Sequence, residues 1–323
     1  MKKIAVVTSG GDAPGMNAAV RAVVRQAEES EIEVFGVRHG YAGLILNELI
    51  KLSPRDVSGV IQLGGTFLGT ARSAEFKTEN AQRKAVSFLK SRNIDALIVI
   101  GGGGSQNGAY ALFNLGFPVV GVASTIDNDL YGTDICIGTD TALNIIIESI
   151  DRIKTTAQSH NRAFLVEVMG RNYGYLPLMA AIAGGAELVV TPEFEMEPEV
   201  IAAELKAAYE KGKRYALIIV SDGAKNNAEK ISHYFKQHRQ HIGYELRVTI
   251  LGHVQRGGPP TAFDRLLASQ LGAAAVEQIR QDNFGMLVGW RRGEVALTPL
   301  SEVVSNKKPL DMNMWTLAKI LAR

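Results

Sequence analysis

The stretch IDALIVIGGGGS, residues 94–105, decides the fold: an apolar run rich in Ile and Val ends abruptly in four consecutive glycines. Ala96–Ile100 does not alternate between apolar and polar residues, which is the pattern of a strand buried on both faces of a parallel sheet. The same kind of run recurs at Ile4–Val7, Val119–Val122, Phe164–Val168, Leu188–Val190 and Ala216–Val220. Helical patterns fall between the runs. From Thr141 to Lys154, Leu143, Ile146, Ile147, Ile150 and Ile153 recur at three- and four-residue spacing and form one apolar stripe. Strands alternating with helices predict βαβ units and a doubly wound α/β fold with mainly parallel sheets.

A length of 323 residues suggests two domains. With 46% hydrophobic and 21% charged residues the chain has the balance of a globular protein, and disordered or fibrous classes are excluded. The formal net charge of +2 creates no global field for nucleic acid or membrane, and suits a small anionic ligand better. The single cysteine, Cys136, excludes an intrachain disulfide, no Cys/His cluster has zinc spacing, and a reducing cytosol is the expected location. The apolar run in MKKIAVVTSGGD is too short for a secretory leader, and no run has the length of a membrane span. Charged stretches such as Glu193–Glu199 and Lys225–Arg239 read as solvated helices and loops.

Three loops follow apolar strands. The first, in TSGGDAPGMNAAVRAVVR (Thr8–Arg25), carries Gly10, Gly11, Pro14 and Gly15 before a helix; its glycines can turn backbone N–H groups toward an anion near a helix N-terminus. It is neither a Walker motif nor GxGxxG, so a tight structural turn and a phosphate cradle both remain open. The second is Gly101-Gly102-Gly103-Gly104-Ser105, with a helix expected from about Asn107. Two glycine loops at strand carboxyl ends suggest a ligand in the crevice of an open sheet. The third, Ser124–Asp129, holds two carboxylates two residues apart, which suits a base and a metal ligand in phosphoryl transfer, although an ordinary Asx turn has the same composition. Arg72, Arg162, Arg171, Arg247, His253 and Arg256 add groups suited to phosphate oxygens, or to surface salt bridges. Arg21 and Arg25 share one helix face, and Lys211, Lys213 and Arg214 cluster.

TSGGDAPGMNAA, GGTFLGTAR, STIDND, VEVMGR and LGHVQRGG resemble, in order and spacing, bacterial 6-phosphofructokinase of the ATP-dependent type. The resemblance spans the chain. It implies two α/β domains, 1–138 plus about 255–304 for the nucleotide and 139–254 plus about 305–323 for the sugar phosphate. It also implies a homotetramer and Mg²⁺-assisted transfer of the ATP γ-phosphoryl to the 1-hydroxyl of fructose 6-phosphate. Asp127 then resembles the base, Asp129 a carboxylate serving the substrate and Mg²⁺, and Thr125 and Arg171 stabilisers of the moving phosphoryl. Gly11, Arg72, Gly102, Gly103, Gly104 and Ser105 match nucleotide-binding positions. Met169, Gly170, Asp222, His253 and Arg256 match the sugar site, with Arg162 and Arg247 lent by a neighbouring subunit. Arg21, Arg25, Lys154, Glu187, Lys211 and Lys213 match positions that bind ADP or phosphoenolpyruvate as effectors.

The sequence departs from the family at several of these positions. Gly103 stands where the family has a metal-serving aspartate, Ser124 replaces a glycine and Asp222 a glutamate, Ser73 replaces an aromatic residue, and Gln82, Lys154 and Pro54 replace arginines. Two alternatives follow: a catalytically weak binding or regulatory paralogue, and a pyrophosphate-dependent enzyme. The latter type carries an aspartate at the position of Gly104 and a lysine at that of Ser124, and neither is present.

Overall fold

The computed structural model describes residues 1–160, 162–238 and 243–322. In chain order its elements are β1 (Lys3–Ser9), α1 (Met16–Glu29), β2 (Glu33–Val37), α2 (Gly40–Leu46), β3 (Leu49–Leu52), α3 (Glu79–Ser91), β4 (Ala96–Gly101), α4 (Gly103–Asn114), β5 (Val119–Ala123), α5 (Thr139–His160), β6 (Arg162–Val168), α6 (Tyr175–Gly184), β7 (Leu188–Val190), α7 (Pro198–Glu210), β8 (Ala216–Ser221), α8 (Ala228–Gln237), β9 (Glu245–Ile250), α9 (Ala262–Arg280), β10 (Met286–Arg291), β11 (Glu294–Pro299), α10 (Leu300–Ser305) and α11 (Met312–Leu321). Short 3-10 turns lie at Glu75–Lys77 and Gly252–Arg256. The chain forms two compact units, Met1–Thr141 with Arg256–Lys308 and Ala142–Gln255 with Pro309–Arg323.

In the first unit the sheet order is β11-β10-β5-β4-β1-β2-β3. The strands from β10 to β2 pair in parallel, and β3 and β11 close the two edges antiparallel. Every residue of Ala96–Gly101 is buried, because helices cover both faces of this central strand. Removing each Val or Ile side chain from water there contributes ~1.5–3 kcal/mol. The strand order reverses at β1: β2 lies on one side of it and β4 on the other. Such a switch point opens a crevice at the carboxyl ends of the strands, and both glycine loops leave the sheet there.

In the second unit β7-β8-β6-β9 form an all-parallel sheet. Its core joins Leu165, Ile218 and Val220 to Ile201 and Leu205 of α7 and Ile231 and Phe235 of α8. The expected charged stretches lie largely on the surface of this unit; Arg239, at the end of one, lies outside the described residues.

Helix α4 begins at Gly103, four residues earlier than the glycine run suggests. Gly102, in extended conformation, is its N-cap, so Gly103 and Gly104 form the first helical turn rather than a loop. Among the described residues, no helix is long and apolar enough to cross a membrane.

Candidate active site

Three segments converge at the carboxyl ends of β5, β4 and β1. The turn after β5 lies directly against the start of α4, because a Cβ on Gly102 would stand 3.2 Å from the Thr125 Cβ. Within the turn, the Asp127 amide donates to Thr125 Oγ1 at 3.2 Å. Thr125 offers its carbonyl to the Thr139 hydroxyl at 3.0 Å. Asp127 is buried and Asp129 exposed, so two carboxylates of one turn occupy different environments. Ser124 bonds the Ile137 carbonyl through its hydroxyl at 3.4 Å.

The loop after β1 is stapled to the segment Gly64–Arg72. Thr70 donates to the Gly10 carbonyl at 2.9 Å, and Thr8 bonds Thr66 at 2.8 Å. Asn17 accepts from the Phe67 amide and donates to the Leu63 and Gly64 carbonyls. Arg72 thus leaves a tethered loop with its side chain exposed. Gly15 must be glycine twice over: its φ is +106°, and a Cβ would stand 2.7 Å from Ile137 Cγ2.

Arg256 packs against this same loop. Its Nη1 donates to the Asp12 carbonyl at 2.9 Å, and a Cβ on Gly11 would meet that nitrogen at 2.7 Å. The guanidinium matched to the sugar site therefore borders the glycine loop. Ser105 spends its hydroxyl on the Ser9 carbonyl at 2.8 Å and its amide on Gly102 at 2.9 Å. The opening amides of α4 at Gly103 and Gly104 are the ones free of intrahelical partners, as in any helix. Ser73 and Gln82, both departures from the family, hold one 3-10 turn, Ser73 accepting from the Phe76 amide and Gln82 donating to the Phe76 carbonyl.

In the second unit, the loops after the neighbouring strands β6 and β8 meet. The Arg171 amide donates to Asp222 Oδ1 at 2.8 Å, the Asp222 amide returns to the Val168 carbonyl at 2.8 Å, and the Met169 amide donates to Gln255 Oε1 at 3.0 Å. Gly170 is packed so closely that a Cβ would stand 2.8 Å from the Tyr173 carbonyl. Asp222, one methylene shorter than glutamate, thus holds the Arg171 backbone, which lies at φ +50°. Arg162 and Arg247, one strand apart, share Glu245, Arg162 at 3.2 Å and Arg247 at 3.0 Å. His253 is exposed in the Gly252–Arg256 turn.

Glu187, Lys211 and Lys213 line a cavity of about 560 Å³ in this unit, together with Leu205 and Trp315. Glu187 anchors the Leu217 amide at 2.6 Å and faces Lys213 at 3.7 Å. Lys154 caps the end of α6 by donating to the Gly184 carbonyl at 2.8 Å. Arg21 and Arg25 both lie on α1 of the first unit.

Among the described residues, no group of three or more His, Cys, Asp or Glu is arranged to hold a metal ion. At position 103 a Cβ would meet only Leu130 Cδ2, at 4.0 Å, and at 104 it would meet nothing within 4 Å. Two residues that sequence patterns did not single out support the crevice from behind. Gln106, buried, donates to the Val99, Gly101 and Val122 carbonyls and so ties the ends of β4 and β5 together. Asn128, also buried, bonds across to residues 134 and 136.

Two glycine-lined loops at the switch point of a parallel sheet, with a twin-carboxylate turn after the adjoining strand β5, form a crevice of the kind that nucleotide-binding α/β proteins use. The family model described as Phosphofructokinase matches residues 3–279, and the chain belongs to that family. It is 50% identical, over the full length of both chains, to ATP-dependent 6-phosphofructokinase 1 of Thermus thermophilus. It is 46% identical over 322 residues, again full length, to ATP-dependent 6-phosphofructokinase of Listeria monocytogenes. Among solved structures, Pichia pastoris phosphofructokinase in the T-state superposes with a TM-score of 0.88 at 37% identity, covering 99% of this chain. This chain spans only 36% of that longer one. A pyrophosphate-dependent phosphofructokinase from Marinobacter aquaeolei shares the fold, with a TM-score of 0.87 at 23% identity.

Proposed function

We propose that the chain transfers the γ-phosphoryl group of ATP to the 1-hydroxyl of fructose 6-phosphate, giving fructose 1,6-bisphosphate and ADP. The observation that carries this reading is the turn Thr125–Asp129 seated against Gly102 at the sheet's switch point. It brings a buried carboxylate to the mouth of a glycine-lined anion crevice. Asp127 takes the proton of the sugar hydroxyl as its oxygen attacks the γ-phosphorus, and the bond to the bridging oxygen of ADP breaks. Thr125 and Arg171 stabilise the charge on the moving group. The opening amides of α4, Gly11 and Arg72 hold the donor phosphates. Met169, Gly170, Asp222, His253 and Arg256 receive the sugar phosphate, with Arg162 and Arg247 serving a neighbouring subunit of a homotetramer.

Mg²⁺ asks for hard oxygen donors, and one or two carboxylates beside substrate phosphates suffice. Asp129 meets that demand, so the residues fit the ion with one carboxylate fewer than the resemblance implies. When bound, the ion neutralises charge on the donor phosphates. Open room beside Gly104 favours a nucleotide over pyrophosphate as donor. The cavity at Glu187, Lys211 and Lys213 is the proposed effector site for ADP or phosphoenolpyruvate, in concert with Arg21, Arg25 and Lys154. A cytosolic location agrees with the single, buried Cys136. A coupled assay of the purified protein with fructose 6-phosphate tests the reading: product should form with ATP and not with pyrophosphate. Product with pyrophosphate alone would reverse the donor, and none with either would favour a binding or regulatory protein.

A further inference from the structure

We infer that Asn128 and Lys308 are positioning residues for the catalytic turn, fixing Asp127 and Asp129 through one shared backbone carbonyl, that of Asp134. Asn128 sits between the two carboxylates in the left-handed region at φ +55°, a conformation that asparagine tolerates better than most residues. Its Nδ2 donates to the Asp134 carbonyl at 3.0 Å, and its Oδ1 accepts from the Cys136 amide at 3.0 Å. Lys308 donates from Nζ to the same Asp134 carbonyl at 2.9 Å.

The far side of that carbonyl's segment is anchored in the sheet. The Asp134 amide donates to the Trp290 carbonyl at 2.7 Å, Asp134 Oδ2 accepts from the Arg292 amide at 2.8 Å, and Thr133 bonds both the Ile135 and Trp290 carbonyls. The turn carrying the carboxylates is therefore tied to β10 through Asn128, and Lys308 closes the network from the end of the first unit. Lys308 also brings positive charge to the turn. Burial draws its pKa down, while the negative charges of Asp134 and Asp129 act in the opposite direction. Two donors on one carbonyl hold the turn from two directions, and a turn held in advance loses less to reorganisation as charge develops.

The inference rests on Asp127 and Asp129 being the working carboxylates, and its test separates the two claims. Lys308→Met, Lys308→Arg, Asn128→Gly and Asp127→Asn are compared with the parent in steady-state kinetics and in amide hydrogen exchange of the 125–136 segment. Glycine accepts φ +55° without strain, removes the amide clamp and adds some backbone freedom. Lys308→Met and Asn128→Gly should each lower kcat by about ten-fold, the loss expected of a small misplacement, with KM for ATP and fructose 6-phosphate unchanged within about two-fold. Both should speed exchange in 125–136, and Lys308→Arg, which keeps donor and charge, should restore both readouts. Parent-like exchange in Lys308→Met and Asn128→Gly would overturn the proposal, as would a Lys308→Arg variant as slow as Lys308→Met. Parent-like turnover in Asp127→Asn would instead remove the base assignment, and the exchange data would still decide whether the network holds the turn.

Discussion

Gly102 and Thr125 are in tight contact: a single methyl group on Gly102 would stand 3.2 Å from the Thr125 Cβ, closer than side chains normally approach. This contact sets the spacing between the helix proposed to receive the donor phosphates and the turn that carries the proposed base. Gly102→Ala should therefore keep the fold and lower kcat by about ten-fold, because a shift of a few tenths of an ångström at a reacting centre is costly. Steady-state kinetics beside circular dichroism checks it, and unchanged kcat in a folded variant would show that the spacing is not critical.

Position 103 holds a glycine where the resemblance expects a metal-serving aspartate, and the structure leaves room to restore one. The nearest atom to an added Cβ is Leu130 Cδ2 at 4.0 Å, and position 103 opens a helix, where an aspartate is favoured by the helix dipole. Gly103→Asp should raise turnover by about ten-fold or more and lower the Mg²⁺ needed for half-maximal rate, in line with the ~10–100-fold typical of a group that orients a metal. A Mg²⁺ titration of parent and variant reads this directly. If neither protein turns over with ATP or pyrophosphate, the missing carboxylate is not the defect.

Asp264 makes stability depend on pH. Burial pushes its carboxyl up to about 6, even though Gly138 and Thr141 donate three hydrogen bonds to it. A carboxyl whose folded pKa lies above its unfolded value binds more protons in the fold, so its contribution to stability falls as pH rises from about 4 to 6. The loss amounts to about 3 kcal/mol. Asp264→Asn removes this titration. Denaturant unfolding at pH 4 and pH 7 should favour the parent over the variant more at pH 4 than at pH 7. The opposite order would mean that the three hydrogen bonds outweigh burial.

Arg162 and Arg247 both pair with Glu245, half-exposed on β9. If they serve a neighbour's sugar site, activity should disappear as the protein is diluted into dimers or monomers, because two phosphate-binding arginines carry much of the substrate affinity. Sedimentation at assay concentrations provides the check. A fully active monomer would assign both residues to their own subunit or to none.

The Val- and Ile-rich runs made β1, β4, β5, β6, β7 and β8 legible but not β2, β3, β9, β10 or β11, which carry no such named run, and five motifs in fixed order made the family legible. Local signals reached no further than their own loops. The glycine run read as a loop because glycine is a poor helix former, yet α4 starts inside it, with Gly102 as its extended N-cap. Arg256 read as a sugar-phosphate ligand, while its bond to Asp12 spans 244 residues of sequence that no spacing rule connects. Lys308 belongs to no motif, and its partner, Asp134, lies 174 residues away in sequence. Gln106, buried between two strand ends, carries no motif at all.

The central claim is that Asp127 accepts the proton of the sugar hydroxyl, and the most direct measurement is the turnover of Asp127→Asn with ATP and fructose 6-phosphate, set beside its affinity for fructose 6-phosphate. Asparagine has nearly the same shape and cannot take the proton. The account predicts a folded variant with parent-like sugar-phosphate affinity and turnover reduced by at least ~10²-fold; turnover equal to the parent's would contradict it.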